Sequence, residues 1–121
     1  MTQPTFQVRF ATPTDTPVLA RLVDTGPWKV DWSGCTEGWL LAQRPDGTVV
    51  GAVNILLGQP VGRVELLSLQ VGLTDREKHA AALELARTAI AALWQYGSQV
   101  ISAHVAFGDK GFKRLIKTTC P

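Results

Sequence analysis

Hydrophobic residues along this chain repeat with two periods. Phe6, Val8 and Phe10 recur at every second position, which predicts a strand over Phe6–Ala11 with those three on one face. Pro13 and Pro17 bracket a helix start at Thr14 or Asp15, both suited to capping, and Val18, Leu19, Leu22 and Val23 then fall at helical spacing. Gly26-Pro27 ends that helix. From Pro27 to Gly38 the pattern is irregular, with Trp28 and Trp32 four apart, and a short helix or a loop fits equally well. Trp39–Gln43 and Thr48–Leu57 are apolar runs separated by Pro45-Asp46-Gly47, a strong hairpin signal. After a turn at Gly58–Gly62, Arg63–Val71 predicts a third strand in this series. Glu65, Leu67, Leu69 and Val71 would share one face, and Val64, Leu66, Ser68 and Gln70 the other.

The period then changes. Thr74-Asp75-Arg76-Glu77 has the capping-box pattern, and a long helix is expected from there to about Tyr96, with Gly97 as its terminator. Leu83, Ala86, Ile90, Leu93 and Trp94 mark its expected buried stripe. Val100–Phe107 predicts another strand, and Gly108-Asp109 starts a short closing helix with Phe112, Leu115 and Ile116 on its apolar side. The order is β-α-(α)-β-β-β-α-β-α. It implies an α/β (α+β) fold in one domain spanning residues 1–121, with a mixed sheet of about five strands and three or four helices.

Composition narrows the classes. With 121 residues and 45% hydrophobic content, the chain can bury a core without a metal or disulfide staple. A net charge of +2 is too mild to argue for nucleic acid, and the basic stripe Lys110, Lys113, Arg114, Lys117 suits a solvated helix face. Cys35 and Cys120 lack the spacing and histidines of a zinc site, so two reduced thiols are expected. Met1–Gln7 carries no signal pattern, and the apolar run Val49–Leu57 is too short to span a bilayer. These features lead to the expectation of a soluble, cytoplasmic protein.

The order of elements, with particular residues, resembles the acyl-CoA N-acyltransferase (GNAT) superfamily from about Val8 onward. Val8-Arg9-Phe10-Ala11-Thr12-Pro13-Thr14-Asp15 is similar to that family's first strand running into its first helix. Trp39–Ala42, the Asp46-Gly47 turn and Val49–Val53 resemble its second and third strands. Leu67–Val71 followed by Arg76 resembles its central strand and cofactor loop, and Asp109, Phe112, Leu115 and Ile116 its last helix. The family's usual continuation into two further strands is lacking after Thr118–Pro121. A homodimer covering the apolar edge at Val100–Phe107 is therefore expected.

The resemblance implies acetyl-CoA as substrate and an unidentified amine as acceptor. Backbone at Leu69, Gln70 and Val71 would hold the pantetheine arm. The run Arg76-Glu77-Lys78-His79-Ala80-Ala81 would hold the pyrophosphate at a helix N-terminus, where free amides and the dipole favour an anion. Arg76 and Ala81 fit that pattern, whereas His79 stands where the family's first glycine is usual. The same residues also make an ordinary capped helix. Glu65 on the central strand is the candidate base and His104 the alternative titrating group. Each has a plainer structural use. The family's acidic tyrosine is matched by Ile116, and Tyr96 does not replace it. Trp28, Trp32 and Trp39 suit either an acceptor pocket or the core. Three functions follow: an N-acetyltransferase, a silent GNAT-fold module for protein interaction, or an unrelated small α+β domain.

Overall fold

The computed structural model describes residues 5–25 and 34–103. Expectations for Trp28, Trp32, His104, Cys120 and the closing helix lie outside the described residues. The elements are β1 (Gln7–Phe10), a short 3-10 turn (Pro13–Asp15), α1 (Thr16–Thr25), β2 (Trp39–Gln43), β3 (Val49–Leu56), β4 (Val61–Leu69), α2 (Asp75–Gln95) and β5 (Val100–Ala103). They form one five-stranded sheet in the order β1-β2-β3-β4-β5. The first three pairings are antiparallel, and β4 pairs with β5 in parallel. A parallel neighbour needs a crossover, which α2 supplies. This is the mixed α+β architecture that the element order implies.

Two apolar clusters flank the sheet. On one face α1 buries Leu19, Leu22 and Val23 against Trp39, Leu41 and Ala52. On the other, α2 buries Ala81, Leu85, Ala89 and Leu93 against Leu40, Val53, Val64 and Leu67. Because both faces are covered, β3 is buried along its whole length except Leu56, which explains a sequence whose one polar residue is Asn54. Trp39 belongs to the α1-side core, so of its two expected uses the structure shows packing.

Three local expectations are corrected. The first helical turn is capped by Thr12, not by Thr14 or Asp15: Asp15 instead returns its carboxylate to the Thr12 N–H at 2.7 Å. The buried stripe of α2 runs through Ala81, Ala82, Leu85, Ala86, Ala89, Ile90, Ala92 and Leu93, while Leu83 is half-buried and Trp94 is 39% exposed. Alanines occupy the contact because they let the helix axis approach the sheet closely; the indole at position 94 is too large for that seam.

The third correction concerns β4. Asn54 pairs with Glu65 and Ala52 with Ser68, so three steps on β4 match two on β3. Leu66, at φ 58°, is the left-handed residue within this β-bulge. Simple alternation therefore fails across it: Val64 and Leu67 both join the α2-side core, while Leu66 packs toward α1. Val64 and Leu67 were expected on opposite faces. An inserted residue has shifted the period by one.

Arg9 and Asp15 tie β1 to the first helical turn through two hydrogen bonds of 2.9 Å each. The Arg9 guanidinium, together with the Thr12 N–H, holds the Asp15 carboxyl well below the usual value near 3.8. Its stabilising contribution is complete above that unfolded value and is lost as pH falls toward the lower folded one. Because Arg9 is 39% exposed, Asp15→Asn is expected to cost about 1–2 kcal/mol at neutral pH. In urea titrations the gap between the two proteins should narrow steadily as pH falls below about 5. A gap independent of pH would contradict this assignment.

Candidate functional site

The candidate site is built where β4 ends. The Gln70 N–H still reaches the Val50 carbonyl at 2.7 Å, after which Gly72, at φ 93°, turns the chain into the cap of α2. The Thr74 hydroxyl accepts from the Glu77 N–H at 3.1 Å, and the Glu77 carboxylate accepts from the Thr74 N–H at 3.1 Å. That reciprocal cap is the one expected from the sequence. It satisfies two of the four donors that a helix start leaves open, and the amides of Asp75 and Arg76 are the remaining two.

Charge at this end is arranged by a residue that sequence reasoning did not single out. Arg44, just past β2, donates to the second Glu77 oxygen at 2.9 Å. The guanidinium and the Thr74 N–H together pull the Glu77 carboxyl below its ordinary pKa. Arg44 and Glu77 are 33 positions apart, so only the folded register of the β2–β3 hairpin against α2 brings them together. Arg76, Lys78 and His79 are exposed around the same turn. Ala80 is half-buried and Ala81 fully buried in the core under α2.

The predicted cofactor residues thus form one continuous end of the molecule. Leu69 and Gln70 are half-buried, Val71 is 72% exposed, and the helix start follows directly. Glu65 lies four residues back on β4, about 13 Å along the strand. It is half-buried and directly across from Asn54, so the two side chains leave the same face. The described pairing of β4 with β5 runs from Val61↔Val100 to Val64↔Ala103, so Glu65 is the first β4 residue beyond it. His104, the alternative titrating group, lies outside the described residues.

A cavity of about 580 Å³ opens at the opposite end of α2. Its walls are Phe10, Cys35, Glu37, Gly38, residues 55–57 and Tyr96. It does not include the expected cofactor residues. No pattern in the sequence marks it, because its walls come from four separate segments. Among the described residues no group of histidines, cysteines or carboxylates could hold a metal ion, and no helix is long and apolar enough to cross a membrane.

No protein-family profile matches the chain, and no curated protein matches it in sequence. Solved structures do match. Rv2747 from Mycobacterium tuberculosis, in complex with CoA and NLQ, is 21% identical over 89% of this chain and 69% of that chain, with a TM-score of 0.75. A GNAT-family protein from Novosphingobium aromaticivorans is 19% identical over 98% of this chain and 54% of that one, with a TM-score of 0.74. Diaminobutyrate acetyltransferase from Paenibacillus lautus, in complex with L-2,4-diaminobutyric acid and coenzyme A, is 15% identical over 95% and 74%, with a TM-score of 0.67. The chain has the fold of the GNAT acetyltransferases.

The cap of α2 can be tested apart from any ligand. Thr74→Ala is expected to cost about 1 kcal/mol in urea unfolding at neutral pH. The folded-state pKa of Glu77 is depressed, so its contribution is present above the unfolded carboxylate value and fades as pH falls below it. Glu77→Gln should therefore be less stable than the parent at neutral pH and indistinguishable from it in acid.

Proposed function

We propose that this chain binds acetyl-CoA along the end of β4 and transfers its acetyl group to an amine. The observation that carries this is the juxtaposition of an extended β4 terminus with a capped helix start. Two amides there remain open, and Arg76 and Lys78 surround them. A pyrophosphate at that start would meet backbone donors and the positive end of the α2 dipole. Of the two carboxylates in that first turn, Asp75 and Glu77, Arg44 offsets Glu77. Backbone at Leu69–Val71 would take the pantetheine arm and direct the thioester back along β4 toward Glu65. CoA in two of the similar structures supports CoA as the ligand.

In this mechanism an acceptor ammonium loses a proton to Glu65, directly or through water, and becomes nucleophilic. The amine nitrogen bonds to the thioester carbonyl carbon and the C–S bond breaks. The sulfur leaves as CoA thiolate, which takes a proton from solvent, while the new amide nitrogen sheds its second proton.

A second proposal rests on His79. A side chain where close backbone approach to phosphate is usual favours a silent GNAT-fold module used in protein interaction. Cofactor binding separates the two. At a hundredfold excess over Kd, acetyl-CoA should stabilise the protein by about 2.7 kcal/mol, a rise in Tm on the order of 10 °C. Arg76→Ala with Lys78→Ala should reduce that shift. No shift at millimolar acetyl-CoA would remove the acetyltransferase and leave the module.

We further propose a cytoplasmic homodimer that associates beside β5, where Val100 is 53% and Val61 43% exposed. Light scattering at micromolar concentration should give twice the chain mass; a monomer would overturn it.

A further inference from the structure

We propose that the cavity beyond β3 is the acceptor site, and that it takes a primary amine carried on an apolar body, a substrate class that rests on the acetyl-transfer function above. Its volume of about 580 Å³ falls in the range of small-molecule sites. Four of its walls are large apolar side chains left open to water: Phe10 48%, Leu56 43%, Leu57 59% and Tyr96 54% exposed. Single exposed apolar residues are ordinary, whereas four around one concavity mark a place where apolar surface is to be covered.

Charge selects among occupants. Among the described residues, Glu37 is the one carboxylate of the lining, and no lysine, arginine or histidine joins it. An apolar ammonium compound is complementary to that lining; an apolar carboxylate is repelled by it. The position of Glu37 is fixed by its neighbour. The Gly38 carbonyl accepts from the Ile55 N–H at 2.8 Å and from the Asn54 side-chain amide at 3.3 Å. Gly38 itself has φ 79°, and a Cβ there would meet the Ile55 carbonyl oxygen at 2.8 Å. Glu37 is thereby held beside the end of β3. On the far wall, the Gln59 amide donates to the Tyr96 carbonyl at 3.4 Å.

The location agrees with the chemistry. α2 is about 30 Å long, with the anion end at Thr74–Lys78 and the cavity at Tyr96. β4 runs antiparallel to it, so Glu65 lies between the two ends, across from Asn54, whose neighbour Ile55 is a cavity wall. A thioester anchored by its phosphates at the start of α2 extends toward Glu65 from one side, and an amine in the cavity approaches from the other.

The test is made on the full chain without CoA, so that it stands apart from cofactor binding. Phenethylamine, its carboxylate counterpart hydrocinnamate, and ethylamine are titrated by NMR or calorimetry. Phenethylamine should bind, and the other two should bind more weakly or not at all. Glu37→Gln should weaken phenethylamine roughly fivefold, the size of one exposed charge pair. Leu57→Ser, which removes apolar surface without adding charge, should weaken it as well. Both positions are exposed, and unchanged melting temperatures would show that the variants fold. If acetyl transfer occurs, Glu37→Gln should raise KM for phenethylamine and leave the acetyl-CoA Tm shift intact. No binding of phenethylamine, equal binding to parent and Glu37→Gln, or preference for hydrocinnamate would each overturn the proposal. Absence of a CoA effect alongside amine binding would overturn acetyl transfer and leave the amine site standing.

Discussion

Close docking of α2 on the sheet is the contact on which the rest of the molecule depends. Five alanines, at positions 81, 82, 86, 89 and 92, are buried along its inner side, with Leu85 and Leu93 filling the spaces between them. Small side chains bring the helix near, so its start is delivered to the end of β4 and its finish to the end of β3. The sheet answers with small residues of its own. A Cβ added at Gly51 would meet a Leu69 methyl at 2.8 Å, and one at Gly62 a Leu93 methyl at 2.8 Å. Because α2 is also the crossover between β4 and β5, its docking fixes the parallel pairing of those strands.

The bulge at Leu66 is the second constraint, and it acts through parity. Without the extra residue, Val64 and Leu67 would lie on opposite faces and one would leave the α2-side core. With it, β4 keeps apolar contacts on both faces, and Glu65 lies just beyond the described pairing with β5. A left-handed leucine is uncommon and costs energy. The core on both sides holds it in place. Buried polar groups around this region are satisfied: the Ser68 hydroxyl donates to the Leu66 carbonyl at 3.2 Å and that of Ser98 to the Gly58 carbonyl at 2.8 Å.

Charged residues divide between scaffold and site. Arg9 and Asp15 weld β1 to the first helical turn. Arg44 and Glu77 join a hairpin to the helix cap beside the proposed cofactor residues, where the same pair sets the local field. Glu37 belongs to neither group, and its position at the mouth of an apolar cavity is what gives it a chemical meaning.

Local sequence determined what local forces decide. The Asp46-Gly47 turn forms because its backbone requires glycine at φ 93° and the Asp46 carboxylate takes the Thr48 N–H at 2.9 Å. The Thr74–Glu77 cap closes between residues three apart. These short-range bonds made the strand order and the start of α2 legible, together with the match of Arg9 and Asp15 to a known pattern. What joins distant segments was not legible. The bulge at Leu66 leaves no mark in an alternating sequence, since any residue can be the inserted one and only pairing with β3 reveals it. The stripe of α2 was misread at Trp94 because hydrophobicity alone ranks an indole above an alanine, whereas the sheet's proximity admits the alanine. Arg44 reaches Glu77, and Phe10, Glu37, Leu57 and Tyr96 surround one cavity, only because the register of the sheet brings separate stretches of chain to the same place.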